Sequence, residues 1–508
     1  MHAAVLSSSV VGVDGRMVEV EVDIAAGLPN TTIVGLGDSA VKESRDRVKA
    51  SLKNSGFEFP ARRITVNLAP ADIKKEGSAY DLPIAVGICA ATAQLASPRL
   101  HDFAILGELA LDGRVKPIRG ALPIATAVAR RGLRGLLLPD RNAAEAAVVA
   151  GIDVIPVTTL ADAIGFLRGE LDLRPVTVDA GRILSEQGRY DVDFYDVKGQ
   201  AHVKRALEVA ASGGHNVLMI GPPGSGKTML AKRLPTILPP LTLAEAIDTT
   251  RVHSVAGLTR DRALIAARPF RAPHHTISDA GLIGGGTNPK PGEVSLAHHG
   301  VLFLDELPEF RKNVLEVLRQ PLEERRITIS RAIGSFTYPA NLMLIAAMNP
   351  CPCGYFGDSQ KECTCASVQV ARYRTRVSGP LLDRIDIQIE VPAVSYRDLV
   401  DTTQTEASAA IRARVERTRN VQLERFATRK IFCNAEMSVR DLRAHCDVES
   451  DAEQLIENAM NRLGLSARAY NRILKVARTI ADIEGHATVG LAHVAEAIQY
   501  RSLDRSFH

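Results

Sequence analysis

The segment Gly221-Pro222-Pro223-Gly224-Ser225-Gly226-Lys227-Thr228 constrains this chain more than any other. It fits G-x-x-x-x-G-K-[ST] at every fixed position, between the strand-like run Asn216–Ile220 and the helix-like run Thr228–Leu234. In that context the glycines let the backbone curl so that its N–H groups face phosphate oxygens, and the helix N-terminus adds positive dipole. Lys227 then reaches the β- and γ-phosphates, and the Thr228 hydroxyl ligates Mg²⁺. Val301-Leu-Phe-Leu-Asp305-Glu306, ending 78 residues after Thr228, supplies the other half. A buried strand delivers two carboxylates at its C-terminal end: Asp305 to hold Mg²⁺ and Glu306 to polarise the attacking water. The expected chemistry is ATP hydrolysis.

The rest of the chain has to house this unit. With 508 residues, about three domains are expected. The net charge of +4 excludes a bulk polycation, so total charge offers no argument for nucleic-acid binding. Seven cysteines are too few, and odd in number, for a secreted disulfide framework. The N-terminus has no Lys or Arg before its apolar stretch, and Leu82–Pro98 is short and interrupted for a membrane span. A cytoplasmic protein without membrane partners is expected.

Residues 1–175 alternate strand-like and helix-like stretches. Met17–Ile24 has apolar residues at every second position, and Ser39–Asn54 has them at helical spacing. Residues 176–195 read as a linker. Residues 196–393 form a second α/β unit with buried strands at Asn216–Ile220, Gly300–Leu304 and Asn341–Met348. Residues 394–508 read as helices: Tyr396–Thr403, Glu406–Phe426, Ser438–His445, Ser450–Leu463, Ser466–Glu484 and Gly490–Tyr500. The overall class is α/β with a helical C-terminal part.

With the phosphate loop and the acidic strand end in place, the sequence resembles AAA+ ATPases. The strand Leu342–Met348 ends in Asn349, which the resemblance makes a sensor that orients the lytic water. Gly379-Pro-Leu-Leu-Asp-Arg384-Ile-Asp386 resembles the arginine-finger segment of the branch holding magnesium chelatases and minichromosome-maintenance helicases. Arg384 would then reach the γ-phosphate bound by a neighbouring subunit, which implies a ring, a homo-hexamer in that family's usual form. Ser466-Ala-Arg468 resembles the second sensor of the same branch, with Arg472 as competitor.

Cys351-Pro-Cys353 and Cys363-Thr-Cys365 place four thiols within fifteen residues. Four close cysteines suit tetrahedral Zn²⁺, and a site without an open position is structural. Because the cluster directly follows Asn349, a bound metal would brace the sensor loop.

The run Leu106–Gly120, the following stretch to Pro139 and the upstream piece Pro70–Pro83 resemble the proteolytic domain of Lon proteases. That family activates a serine with a lysine base. The position expected to be Lys is Pro123, and the expected Ser falls near Tyr80-Asp81, with Ser78 close by. A Lon-like fold without peptidase chemistry is implied. A degenerate domain of this kind also accompanies a recombination ATPase.

The full arrangement resembles the YifB/ComM family of magnesium-chelatase-like proteins, as do Arg268-Pro-Phe-Arg-Ala-Pro-His-His275 and Gly281-Leu-Ile-Gly-Gly-Gly286. That resemblance implies a ring-shaped, ATP-driven motor acting on branched or single-stranded DNA in branch migration. Local charge agrees: residues 251–275 hold five Arg against one Asp. The related helicases grip DNA through hairpins at the places of Gly281–Glu293 and Arg325–Tyr338, which makes Lys290 and Arg331 candidate phosphate contacts. His274, His275, His298 and His299 read as loop or core hydrogen-bonding residues. Two other functions fit the ATPase core: a motor subunit of a metal chelatase, and a component of an ATP-dependent protease or unfoldase.

Overall fold

The computed structural model describes residues 1–501 and 503, apart from 76, 188–189, 287–288, 332–333, 359–360, 395–404, 430 and 464–465. The expected helix Tyr396–Thr403 lies outside the described residues. The chain forms two compact units. The first comprises Met1–Glu186, Thr242–Ala266 and Ile333–Thr337; the second comprises Gln187–Leu241, Ala267–Ala332 and Tyr338–His508.

In the first unit, strands His2–Val11, Asp14–Ala25, Arg63–Ala69 and Asn30–Val34 lie side by side in that order. The alternation read from the sequence sets the register, since Val18, Val20, Val22 and Ile24 all face inward and are at most 2% exposed. The apolar run after Tyr80 is the helix Asp81–Ala91, buried on nearly every side as an all-round apolar helix must be. It can lie close on the sheet because Gly87 has no Cβ, which would meet Val22 Cγ2 at 2.7 Å. A second, parallel sheet, Phe103–Ile105, Gly135–Pro139 and Asp153–Val157, carries helices Ala121–Arg131, Asp140–Ala146 and Leu160–Arg168. Helix Leu243–Ala256 joins this unit. Buried Glu145 accepts hydrogen bonds from Leu122 N at 2.9 Å, from Thr259 Oγ1 at 3.0 Å and from Ser254 Oγ.

The segment read as a linker contains a helix, Ala180–Gln187. Its signals are local and polar. The Asp179 carboxylate accepts from Arg182 N at 2.9 Å, and Arg182 pairs with Glu186 one turn on at 2.8 Å.

The second unit is built on a five-stranded parallel sheet ordered Phe270–Arg271, Val301–Leu304, Met343–Met348, Val217–Ile220, Ile387–Glu390. The three middle strands are buried on both faces, which explains their unbroken apolar sequences. Parallel strands share one C-terminal edge, and there the phosphate loop, Asp305-Glu306 and Asn349 come together. Helices Ser408–Arg425, Ala467–Glu484 and Leu491–Gln499 share one hydrophobic cluster with the sheet, Val415, Ile473 and Val494 packing in the same core as Val217 and Ile389. A buried ion pair reinforces this junction: Arg472 donates to Asp386 at 2.6 Å, and His215 lies 3.5 Å from the same carboxylate. Burial alone would push the Asp386 carboxyl up, but Arg472 and His215 outweigh it and hold it well below the usual carboxylate range. Among the described residues no helix is long and apolar enough to cross a membrane.

Candidate active site

The phosphate loop leaves the end of Val217–Ile220 and returns as helix Lys227–Ile237. Gly224 and Gly226 have φ of +77° and +88°, a left-handed backbone that only glycine adopts without strain. Lys227 Nζ is held inside the loop, donating to Gly221 O at 2.7 Å, to Pro222 O at 2.9 Å and to Asn349 Oδ1 at 3.3 Å. Burial lowers its pKa, and Asp305 opposes that shift. An ammonium satisfied by loop carbonyls is placed to exchange them for phosphate oxygens. Thr228 Oγ1 donates to Asp305 Oδ2 at 2.7 Å, so the hydroxyl and carboxylate expected to share a Mg²⁺ ion already face each other.

Glu306 turns away from the sheet through a left-handed φ of +53°, while its own N–H donates to Asp305 Oδ1 at 3.0 Å. Adjacent carboxylates therefore separate: Asp305 faces Thr228, and Glu306 stands free of it. Glu306 Oε2 lies 3.2 Å from His275 Nδ1. The sequence alone makes His275 a loop or core hydrogen-bonding residue and does not give Glu306 as its partner. The available signal was topological: Phe270–Arg271 runs parallel to Val301–Leu302, so a residue just beyond its end lands beside the acidic pair.

A cleft of about 460 Å³, lined by Gly199, Gln200, Lys204, Thr405 and Ile411, was also missed. Gln200 ties it to the phosphate loop by donating to Ser225 O at 2.9 Å. Its size is in the range of small-molecule sites.

The four clustered cysteines are brought together, unbridged. Sγ–Sγ separations are 3.3 Å for Cys351–Cys353, 3.7 Å for Cys351–Cys363 and 3.6 Å for Cys353–Cys363, and all four sulfurs lie within 4.8 Å of one another. Tetrahedral Zn–S bonds of about 2.3 Å require S–S edges of about 3.8 Å. Backbone N–H groups of Gly354 and Phe356 donate to Cys351 Sγ at 3.2 and 3.3 Å, and that of Cys353 to Cys365 Sγ at 3.4 Å. Four sulfurs at these separations form a donor set that fits a metal. The turn also touches the phosphate loop, since a Cβ on Gly354 would lie 2.6 Å from Pro223 Cδ. Gly354 has φ of +89° besides. Gly354→Val is therefore expected to cost about 1–3 kcal/mol of stability and to raise the KM for ATP. Thermal melting and steady-state kinetics check both.

A second His/Glu group, Glu484, His486 and His493, has donor atoms within 4.8 Å of one another. Gly490 N donates to His493 Nδ1 at 2.9 Å, so the proton of the neutral ring sits on Nε2, where a metal would need a lone pair. This group is a hydrogen-bonded helix cap.

Arg384 is buried: Nη2 donates to Glu323 Oε1 and Nη1 to Pro380 O. Of the two second-sensor candidates, Arg472 is committed to buried Asp386, whereas Arg468 is 72% exposed and pairs with Asp383 at only 3.3 Å. Lys290 is exposed on a short two-stranded sheet, where it pairs with Gly285. Arg331 ends strand Arg326–Arg331, and its Nη2 would lie 3.4 Å from a Cβ on that same Gly285.

In the first unit, the expected peptidase serine falls near Tyr80-Asp81, both buried, and Asp81 accepts from Arg47 Nε at 2.7 Å and Nη2 at 3.0 Å. Ser78 donates to Glu108. Pro123 is buried in the first turn of helix Ala121–Arg131. The residues at these positions build an ion pair and a helix start in place of a nucleophile and its base.

Residues 193–399 match the family described as magnesium chelatase, subunit ChlI; residues 20–142 match subunit ChlI of Mg-chelatase; residues 405–501 match the ChlI C-terminal family. The competence protein ComM of Haemophilus influenzae is 45% identical over 505 residues, covering 99% of this chain and 98% of that protein. The uncharacterized protein YifB of Escherichia coli is 43% identical over 497 residues, covering 97% and 96%. A Lon protease of Chloroflexus aurantiacus is 30% identical over 161 residues, covering 29% of this chain and 19% of that protein.

Proposed function

Since the chain belongs to the ComM/YifB family of magnesium-chelatase-like AAA+ ATPases, we propose that it is a ring-forming motor that couples ATP hydrolysis to branch migration of DNA in recombination and natural transformation. The ATP half rests on the meeting of Lys227, Thr228, Asp305 and Asn349 at one sheet edge, with Glu306 turned toward His275 beside them. Lys227 and the loop N–H groups hold the phosphates. Thr228 and Asp305 would hold Mg²⁺, which would neutralise charge on the phosphate oxygens. Glu306 takes the proton of the attacking water, and the cleft at Gln200 receives the nucleoside. Arg384 and Arg468 complete the site across and within subunits of a homo-hexamer.

The observation that carries the DNA half is the adjacency of Arg331 to the Gly285–Lys290 rung, which joins two basic, strand-borne contacts into one surface. Single-stranded or branched DNA is expected to raise the ATPase rate. Removing Lys290 or Arg331 should reduce the slope of log affinity against log salt by about one each. A rate indifferent to DNA, with no salt-sensitive binding, would overturn this half. The chelatase-motor reading shares the ATPase core, but the full-length likeness is to ComM and YifB and includes the Lon-like region. The protease reading lacks a nucleophile–base pair at Asp81 and Pro123.

In this reading the cysteine cluster would hold a structural Zn²⁺, which would fix Asn349 and the loop at Pro223. Metal analysis of purified protein is expected to give about one zinc per chain. A folded, active, metal-free preparation would contradict that assignment.

A further inference from the structure

The arginine expected to act on a neighbour is held within its own chain. Only about a tenth of the Arg384 side chain is exposed. One terminal nitrogen donates to Glu323 and the other to Pro380 O, while Nε, buried, has no hydrogen-bond partner. A guanidinium offers its donors in a rigid fork suited to bidentate oxyanions. Here a carboxylate takes one side of the fork and leaves the rest incomplete. Glu323 itself is 61% exposed, on the surface of helix Arg319–Glu324. It is not a buried anchor of the kind that Asp386 provides for Arg472.

We propose that Glu323 is a positioning residue that withholds Arg384 within a single chain and yields it to the γ-phosphate of a nucleotide on a second copy of the chain. The proposal rests on the reading of Arg384 as an arginine finger. A carboxylate and a phosphate compete for the same fork, so a neighbour's nucleotide displaces Glu323 like for like. The placement of Glu323 also supplies a trigger. Its helix ends at Arg325, whose φ of +56° turns the chain straight into strand Arg326–Arg331. Arg325 is tethered by Glu436 at 2.9 Å, so it forms a short pivot between the strand that ends in Arg331 and the carboxylate that holds Arg384. On the reading of Arg331 as a DNA contact, DNA held there acts through this pivot on the helix end that carries Glu323. Ring assembly and DNA contact thereby both favour release of the finger.

The test uses full-length protein and measures ATP hydrolysis against protein concentration, with and without single-stranded DNA. Glu323→Gln keeps the helix surface and removes the charge. It is expected to raise the DNA-free rate about threefold to tenfold and to shrink stimulation by DNA. Glu323→Ala should act in the same direction. In an Arg384→Ala background neither change should alter the rate, because the effect passes through Arg384 alone. If Arg384→Ala abolishes hydrolysis while both folded Glu323 variants leave the DNA-free rate unchanged or lowered, the latch is wrong and the finger stands. A Glu323 effect that persists without Arg384 also overturns the latch. If Arg384→Ala hydrolyses ATP at the wild-type rate, the finger reading fails and the latch fails with it.

Discussion

Glu306→Gln is expected to slow ATP turnover by about 10²–10⁴-fold while nucleotide affinity stays nearly unchanged. The amide keeps the shape of the side chain and can still face His275, but it cannot take a proton from water. The left-handed backbone at Glu306 matters here, because it separates two adjacent carboxylates into different tasks. Asp305 remains bonded to Thr228 at 2.7 Å, so that hydroxyl–carboxylate contact survives the change. Phosphate release together with titration of a fluorescent nucleotide separates the two effects. Unchanged turnover would remove Glu306 from the chemistry.

Arg384→Ala is expected to lower turnover about 10³-fold or more, the size of effect that arginine fingers have elsewhere. Lys227→Ala should be as severe, because it empties the loop of its ammonium. A mixture of the two inactive proteins distinguishes their roles. In a mixed ring, a Lys227→Ala subunit still presents Arg384 to the intact phosphate loop of an Arg384→Ala neighbour. With equal parts and random assembly, roughly a quarter of the interfaces pair the two intact halves, so about a quarter of wild-type activity should return. A mixture as inactive as its parts, in rings that exchange subunits, would place Arg384 outside the neighbour's site.

Most of this site was legible in the sequence because its demands are local. A phosphate loop needs glycine at fixed positions, and Gly224 and Gly226 occupy the left-handed backbone that makes it so. The buried middle strands were readable because burial on both faces forces unbroken apolar runs. The four cysteines were readable from spacing alone. Long-range partners were not. Glu323 lies 61 residues from Arg384, and no periodicity joins them. His275 pairs with Glu306 only because two parallel strands end side by side, a fact of sheet order. The helix Ala180–Gln187 escaped notice because Asp179 and the Arg182–Glu186 pair hold it with little apolar signal. Sequence alone ranks Arg468 first with Arg472 as its competitor, and it cannot show that Arg472 is bonded to the buried Asp386, 86 residues away.

The central claim is that ATP hydrolysis at this site moves DNA branches, and a labelled four-way junction tests it directly. With ATP and Mg²⁺, the protein should convert the junction to its branch-migrated products, while Glu306→Gln binds the junction without converting it. A junction left unconverted by protein that hydrolyses ATP at full rate would contradict the account.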